Sequence, residues 1–418
     1  MNRLTKTLAS ALMLSLPLCA AAESILIKGA DIYTASKTLP ATDLLIADGR
    51  IEAMGKNLSL PADRVIDGKG KSVTAGLFNS YTQLGVVEVG AIEQTVDFHT
   101  ERTDITAALK MADAFNPQST LLPHNRAHGL THAVIMPESG SGLFSGTVAL
   151  AQLGNSPRIV QKNLGVAVDY TEYGISLAGN SRAAAIALLR QALTDARDFA
   201  ANKKAALAGE TREFSLSLMD LAALEPVIKG ETLLFARVHR AVDIVQILDL
   251  AKEYQLKLML VGVQEGWMVA DKIAAQGVPV LMDPIDNLPT GYQSLGARLD
   301  NAALLHKAGV PLLFTGMSWH NTHNAYLVRQ SAGNAVANGL DKTVAIAAMT
   351  ANPARWFKAP VTGDLAKGGV ADLVLWSGDP LEVTSEPVLV MAGGETASMV
   401  TRATMLRDRY FERLKPAK

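Results

Sequence analysis

The sequence predicts an α/β fold: a (β/α)8 barrel joined to a small β-sandwich built from both ends of the chain. Two observations carry the prediction. Between about residues 233 and 349, short apolar strands alternate with amphipathic helices. Both ends of the chain, in contrast, are rich in short strands bounded by Gly and Pro, and chain termini often lie close together. A doubly wound open sheet is the alternative for the alternating part, and two unrelated β extensions the alternative for the ends.

Composition bounds the function. The chain has 418 residues, 49% hydrophobic and 19% charged, with 39 basic against 40 acidic side chains. That balance excludes a disordered chain and a nucleic-acid binder that relies on a basic excess. Arg3 and Lys6, the apolar run Leu8–Leu18 and Ala20-Ala21-Ala22 form the three parts of a secretory signal peptide, with cleavage expected after Ala22. Leu18 stands where lipidation of Cys19 would want a small residue, so a lipoprotein is disfavoured. The mature chain, residues 23–418, then lacks cysteine, which excludes a disulfide framework, thiolate ligands and a cysteine nucleophile. The expectation is a periplasmic or secreted protein that is not membrane-bound after cleavage.

Taken in order, Ile25–Tyr33 and Leu44–Met54 read as strands. Asp48-Gly49 is a type I′ hairpin signal between Ile46 and Ile51, and a third strand runs through Val65–Gly68. Strands His132–Met136 and Leu164–Val168 and helix Arg182–Ala200 follow, and Val148–Leu153 also reads as a strand. Four strand–helix units come next: Leu233–Val238 with Ala241–Tyr254, Leu256–Val261 with Gly266–Gln276, Val278–Met282 with Ala297–Lys307, and Val310–Phe314 with Asn324–Val336 and Lys342–Met349. Their near-continuous apolar character suits strands covered on both faces. Ala371–Trp376 and Val388–Val390 return to the terminal β texture. The expected domains are residues 23–74 with 359–418 as the composite sandwich, and 75–358 as the barrel.

In a parallel barrel, chemistry gathers at the carboxyl ends of the strands. The candidates there are His239 and Arg240, Glu265, Asp283, and the group Trp319, His320, Asn321 and His323. Tyr81 and Gln83 lie beyond the junction Thr74–Asn79. Several other patterns carry little. Gly140-Ser141-Gly142 lacks the third glycine of a dinucleotide loop, and no Gly-x-Ser-x-Gly elbow occurs. His99 sits among Asp97, Glu101 and Asp104 as in a solvated acidic loop. His124 and His128 share a face if helical, but no Glu follows His124 as a zinc-protease helix requires. His306 reads as an exposed helix residue.

Four segments in order carry a family resemblance. Ala75-Gly76-Leu77-Phe78-Asn79 resembles a Pro-Gly-Leu-Ile-Asp barrel opening, and Val238–Ile244 a His-Arg-Ala-x-Asp-Ile segment. Asn352-Pro353-Ala354 resembles an Asn-Pro-Ala turn. Gly363-Asp364-Leu365, Lys367-Gly368 and Ala371–Val374 resemble a return strand of the form Gly-x-Leu-x-x-Gly-x-x-Ala-Asp-Leu-Val. Together they resemble the amidohydrolase superfamily, and within it the imidazolonepropionase-like members. The resemblance implies a hydrolase that cleaves a C–N bond in a small cyclic amide or N-acyl substrate. It also implies a divalent ion, often zinc, held by His-x-His, two further histidines and an aspartate. Carried over by position, those ligands fall on Tyr81, Gln83, His239, Gly262 and Asn321 (or Met317). Only His239 keeps its type, so zinc is expected to bind weakly or not at all. The expected site is His239, Asn321, Glu265 and Asp283 in catalytic roles, with Tyr81, Gln83, Arg240, Trp319, His320 and His323 lining the pocket. The alternative is a catalytically silent barrel that binds a small molecule or a protein partner.

Overall fold

The computed structural model describes residues 23–286, 288–316 and 322–414. Thus the expected signal segment and three site candidates, Trp319, His320 and Asn321, lie outside the described residues.

The first strands form as their patterning requires. β1 (Ile25–Tyr33) pairs antiparallel with β2 (Thr38–Ala47), and β2 with β3 (Arg50–Gly55). The turn between β2 and β3 places Asp48 at φ 48° and Gly49 at φ 70°, the positive pair a type I′ turn demands. β4 (Arg64–Asp67) and β5 (Ser72–Ala75) both run parallel to β1.

Eight strands then build a nearly closed barrel: β6 (Leu77–Thr82), β7 (Leu130–Ile135), β8 (Phe144–Gln152), β9 (Arg158–Asp169), β10 (Leu233–Val238), β11 (Lys257–Gly262), β12 (Val280–Met282) and β13 (Leu312–Phe314). Neighbours pair in sequence order. Between β13 and β6 the ring closes through the Thr315 hydroxyl, which donates to Asn79 Oδ1 at 2.8 Å and to the Tyr81 carbonyl at 3.0 Å.

One feature departs from eight strand–helix units. β8 is antiparallel to both β7 and β9. The loops on either side of β8 are too short for a crossover, which takes a dozen or more residues. The chain therefore folds back, and a hairpin pair stands where a helical crossover was expected.

Alternation along the strands fills the lumen. Leu233 and Phe235 on β10, Met259 and Val261 on β11, Leu281 on β12 and Leu313 on β13 belong to one buried cluster. Phe357 seals its amino-terminal end, its ring stacked on Phe235 with centroids 6.2 Å apart. The opposite faces of the strands pack against the helices, among them Arg182–Ala201 and Ala241–Tyr254.

After the barrel, β14 (Leu373–Trp376) pairs with β5, then β15 (Pro387–Ala392) with β14, and β16 (Glu395–Thr396) with β15. Both ends of the chain thus share one eight-stranded sheet. Asp372 ties this sheet to the barrel entrance: it accepts from the Thr131 hydroxyl at 2.8 Å and from the Gly393 amide at 3.0 Å. A side chain at Gly76 would run into Thr131 and Asp372, which accounts for glycine there. Among the described residues, no helix is long and apolar enough to cross a membrane.

Candidate functional site

The period of two that buries Leu233 and Phe235 continues up β10. It turns Arg237 and then His239 into the lumen at the strand's carboxyl end. By the same parity Asp169 on β9, Asp283 beyond β12 and Thr315 beyond β13 face the mouth. The polar ring at the barrel mouth is therefore the continuation of the apolar plug beneath it.

Tyr81, Glu138 and Gln83 form one hydrogen-bonded group. The Tyr81 hydroxyl donates to Glu138 Oε1 at 3.2 Å and Gln83 Nε2 donates to the same oxygen at 3.0 Å. Gln83 Oε1 accepts from the Thr322 hydroxyl at 3.1 Å. Burial first, then the Glu138 charge, push the Tyr81 phenol above its usual range, so it acts as a neutral donor.

Arg237 stands beside this group. Its guanidinium lies 4.0 Å from Asp169 Oδ2, and its side chain is 42% accessible, so it borders open space at the mouth and is not sunk in packed protein. Among the described residues it makes no hydrogen bond, which leaves its planar fork of five donors uncommitted. The Tyr81 oxygen is the strongest influence holding it above its ordinary range, followed by Asp169, Glu138 and Asp286, against the opposing pull of desolvation. Asp169 is itself oriented by the Thr171 amide at 2.8 Å. On the far side, Asp286 accepts from Gln264 Nε2 at 2.9 Å, and burial raises its carboxyl above the usual value.

His239 is buried, with Nδ1 lacking a hydrogen-bond partner. Burial, then the charge of Arg237, bring its imidazole down to about 3, so the ring is neutral at ordinary pH. Gly262 is shaped around this ring. A β-carbon there would lie 2.7 Å from His239 Nδ1 and closer still to Cε1, and Gly262 has φ 93°. The position where the resemblance places a second histidine is thus filled by the ring of the first.

The other expected site residues fall in different settings. Glu265 holds backbone: its two oxygens accept from the Ala241 and Gly296 amides, each at 3.0 Å, which suits a carboxylate at a helix N-terminus. Asp283 is buried and accepts from the Ile285 amide at 3.1 Å. Arg240 lies 3.8 Å from Asp243 in the first turn of helix Ala241–Tyr254. His323 is exposed, with Nε2 3.3 Å from the Glu88 carbonyl. Arg237, Asp169 and Glu138 were not among the sequence candidates. Strand parity pointed to the first two: Leu233, Phe235, Arg237 and His239 follow one another at intervals of two.

A zinc centre needs about three protein ligands and an open position. Among the described residues, no three of His, Cys, Asp and Glu come together in a way that could hold a metal ion. Tyr81 and Gln83 are committed to Glu138, and Gly262 offers no donor. The described residues do not fit the divalent ion that the resemblance implies.

No protein-family model matches the chain. Over 72 residues it is 38% identical to the 5-methylthioadenosine/S-adenosylhomocysteine deaminase of Pyrococcus furiosus, a match that spans 17% of this chain and 17% of the deaminase. An amidohydrolase from Thermotoga maritima has a similar structure, with TM-score 0.77 and 24% identity over 89% of this chain and 99% of that one. A prolidase complexed with N-methylphosphonate-L-proline follows with TM-score 0.52 and 14% identity, covering 90% and 99%. The architecture is that of these two solved structures.

Proposed function

We propose that this chain, whose fold is that of the amidohydrolase superfamily, is an exported hydrolase acting on the C–N bond of a small cyclic amide or N-acyl substrate. In this reading Arg237 takes the place of a metal cluster at the barrel mouth. The observation that carries the reading is an arginine with uncommitted donors at the lumen end, among Asp169, Glu138, Tyr81 and Asp286. Residues 1–22 direct export, and the eight-stranded terminal sheet is the sandwich domain that flanks the barrel.

The chemistry follows from the side chains. Arg237 donates to the amide oxygen and stabilises the negative charge that develops there, a role of the oxyanion-hole kind. Glu138 takes a proton from the attacking water. Asp286, whose raised pKa keeps a proton to a higher pH, delivers one to the leaving nitrogen. His239 is held neutral by burial and shapes the mouth as a hydrogen-bonding group.

A second reading is a barrel that binds the same molecule without turning it over. It is favoured by the packing of Gly262 against His239 and by the mutual engagement of Tyr81, Gln83 and Glu138.

One experiment separates the two. Mature protein is incubated with a panel of N-acyl amino acids and cyclic amides, hydrolysis is followed by NMR, and binding by calorimetry. The hydrolase reading expects turnover that Arg237→Met lowers by about 10²–10³-fold, as loss of an oxyanion donor does. Binding without turnover, weakened by the same substitution, establishes the second reading. Absence of both overturns the assignment of the mouth as the working site.

A further inference from the structure

The last described element is a helix that the rest of the fold leaves uncovered. Thr401 and Thr404 start it by exchanging bonds: the Thr401 amide donates to Thr404 Oγ1 at 2.9 Å and the Thr404 amide to Thr401 Oγ1 at 3.2 Å, a reciprocal cap. Helix Arg402–Leu414 then runs for 13 residues and buries none of them among the described residues. A helix of that length is marginal in water on propensity alone and normally owes its stability to the packing of an apolar face. Here the face exists and is exposed: Tyr410 is 55%, Phe411 60% and Leu414 78% accessible.

The order of residues along the helix says what would cover it. Ala403, Leu406, Tyr410 and Leu414 recur at steps of three and four, with Phe411 beside them, and so share one face. Arg402, Arg409 and Arg413 recur at steps of seven and four along one flank of that face, and Arg407 lies one turn before Phe411. Asp408 and Glu412 are four apart and fall on the opposite side. The Arg413 guanidinium stands 5.5 Å from the Tyr410 ring centroid, so cationic and apolar surface are contiguous. The Arg407–Asp408 pair, at 2.7 Å, is exposed on both sides and ties up little of this charge. Lys415 and Lys418 follow in sequence. Residues 402–418 thus carry Arg402, Arg407, Arg409, Arg413 and two lysines against two acids, whereas the whole chain is balanced at 39 against 40.

We propose that this helix lies in the surface of an anionic lipid bilayer, with its apolar face down and its arginines reaching the headgroups. An exposed amphipathic helix with a basic flank and aromatic residues on its apolar side matches the chemistry of such a surface. A second copy of the chain fits less well. Two of these helices face to face would bring like-charged flanks together, while the acids that could pair with them point away. The proposal replaces the expectation of a mature chain free of membranes, because a helix that lies in the surface needs no spanning length. It does not depend on the chemistry of the barrel mouth.

The test mixes the mature chain with vesicles of phosphatidylcholine, alone or with phosphatidylglycerol added, and reads binding by flotation at low and high salt. The anionic vesicles should bind at least about tenfold more tightly than the neutral ones, an advantage that high salt removes. Arg409→Gln combined with Arg413→Gln should weaken binding by about 10–30-fold, and the corresponding lysine pair should restore it. Leu406→Gln combined with Phe411→Gln should abolish it, with an unchanged melting curve because both side chains are exposed. No binding to anionic vesicles, equal binding to both kinds, or binding that survives the Leu406 and Phe411 substitutions would each overturn the proposal. A lipid-free dimer in sedimentation analysis, broken by those same two substitutions, would assign the face to a second copy and overturn it as well.

Discussion

At the scale of single residues, Gly262 and His239 define the mouth. A methyl group at 262 meets the imidazole, and its backbone φ of 93° disfavours any side chain. Gly262→Ala should therefore cost about 1–3 kcal/mol, visible as a lower urea midpoint with unchanged slope. Gly262→His, which supplies the residue type that the resemblance places there, should destabilise further and gain no metal. The His239 pKa gives a prediction with a definite sign. Its folded value, about 3, lies below the value near 6.5 of an unfolded histidine. The unfolded chain therefore takes up a proton that the folded chain refuses. The stability this provides is complete above about pH 6.5 and is lost as the pH falls towards 3, by up to ~1.4 kcal/mol per unit. His239→Gln should flatten that decline between pH 6.5 and 4, as urea titrations at several pH values would show. Part of the slope should persist, because burial lowers His132 as well.

At the scale of elements, the sequence was most readable where one periodicity governs a long segment. Helix Ala241–Tyr254 and strand Ile25–Tyr33 match their expected bounds, because an unbroken apolar stripe and a run before a turn each leave few alternatives. The reversal of β8 was hidden in its composition. Phe144–Gln152 is buried on both faces, so its apolar pattern does not distinguish parallel from antiparallel pairing. The short connections, with Gly154 and Pro157 before β9, held the missing information. The barrel mouth was legible in the sequence, but the side chains gathered there were not. The strand ends located the mouth, yet Glu138 lies on a loop brought in by the reversed strand, and no spacing rule reaches it from Tyr81. Asp372 yields the prediction proper to this scale. It joins the terminal sheet to the barrel through Thr131 and Gly393, so Asp372→Ala should take the acceptor from the buried Thr131 hydroxyl and cost about 1–3 kcal/mol. Limited proteolysis should then cut the variant within residues 359–400 at protease levels that spare the parent.

At the scale of the whole molecule, the barrel mouth presents a guanidinium where the sequence resemblance implies a metal ion. A bound metal and an arginine both supply positive charge where an amide oxygen would sit. They differ in that the arginine needs no ligand cluster and stays charged at every working pH. In the proposed reading these residues act together: Tyr81 and Gln83 serve Glu138, Gly262 leaves its space to His239, and Arg237 makes no hydrogen bond among the described residues. The account is tested most directly by elemental analysis of mature protein purified after growth with added zinc, alongside the His239→Ala variant. We expect far less than one equivalent of zinc, manganese or iron in both proteins, and no change in melting temperature when zinc is added. One or two equivalents of metal in the parent, lost in His239→Ala, would contradict the central claim.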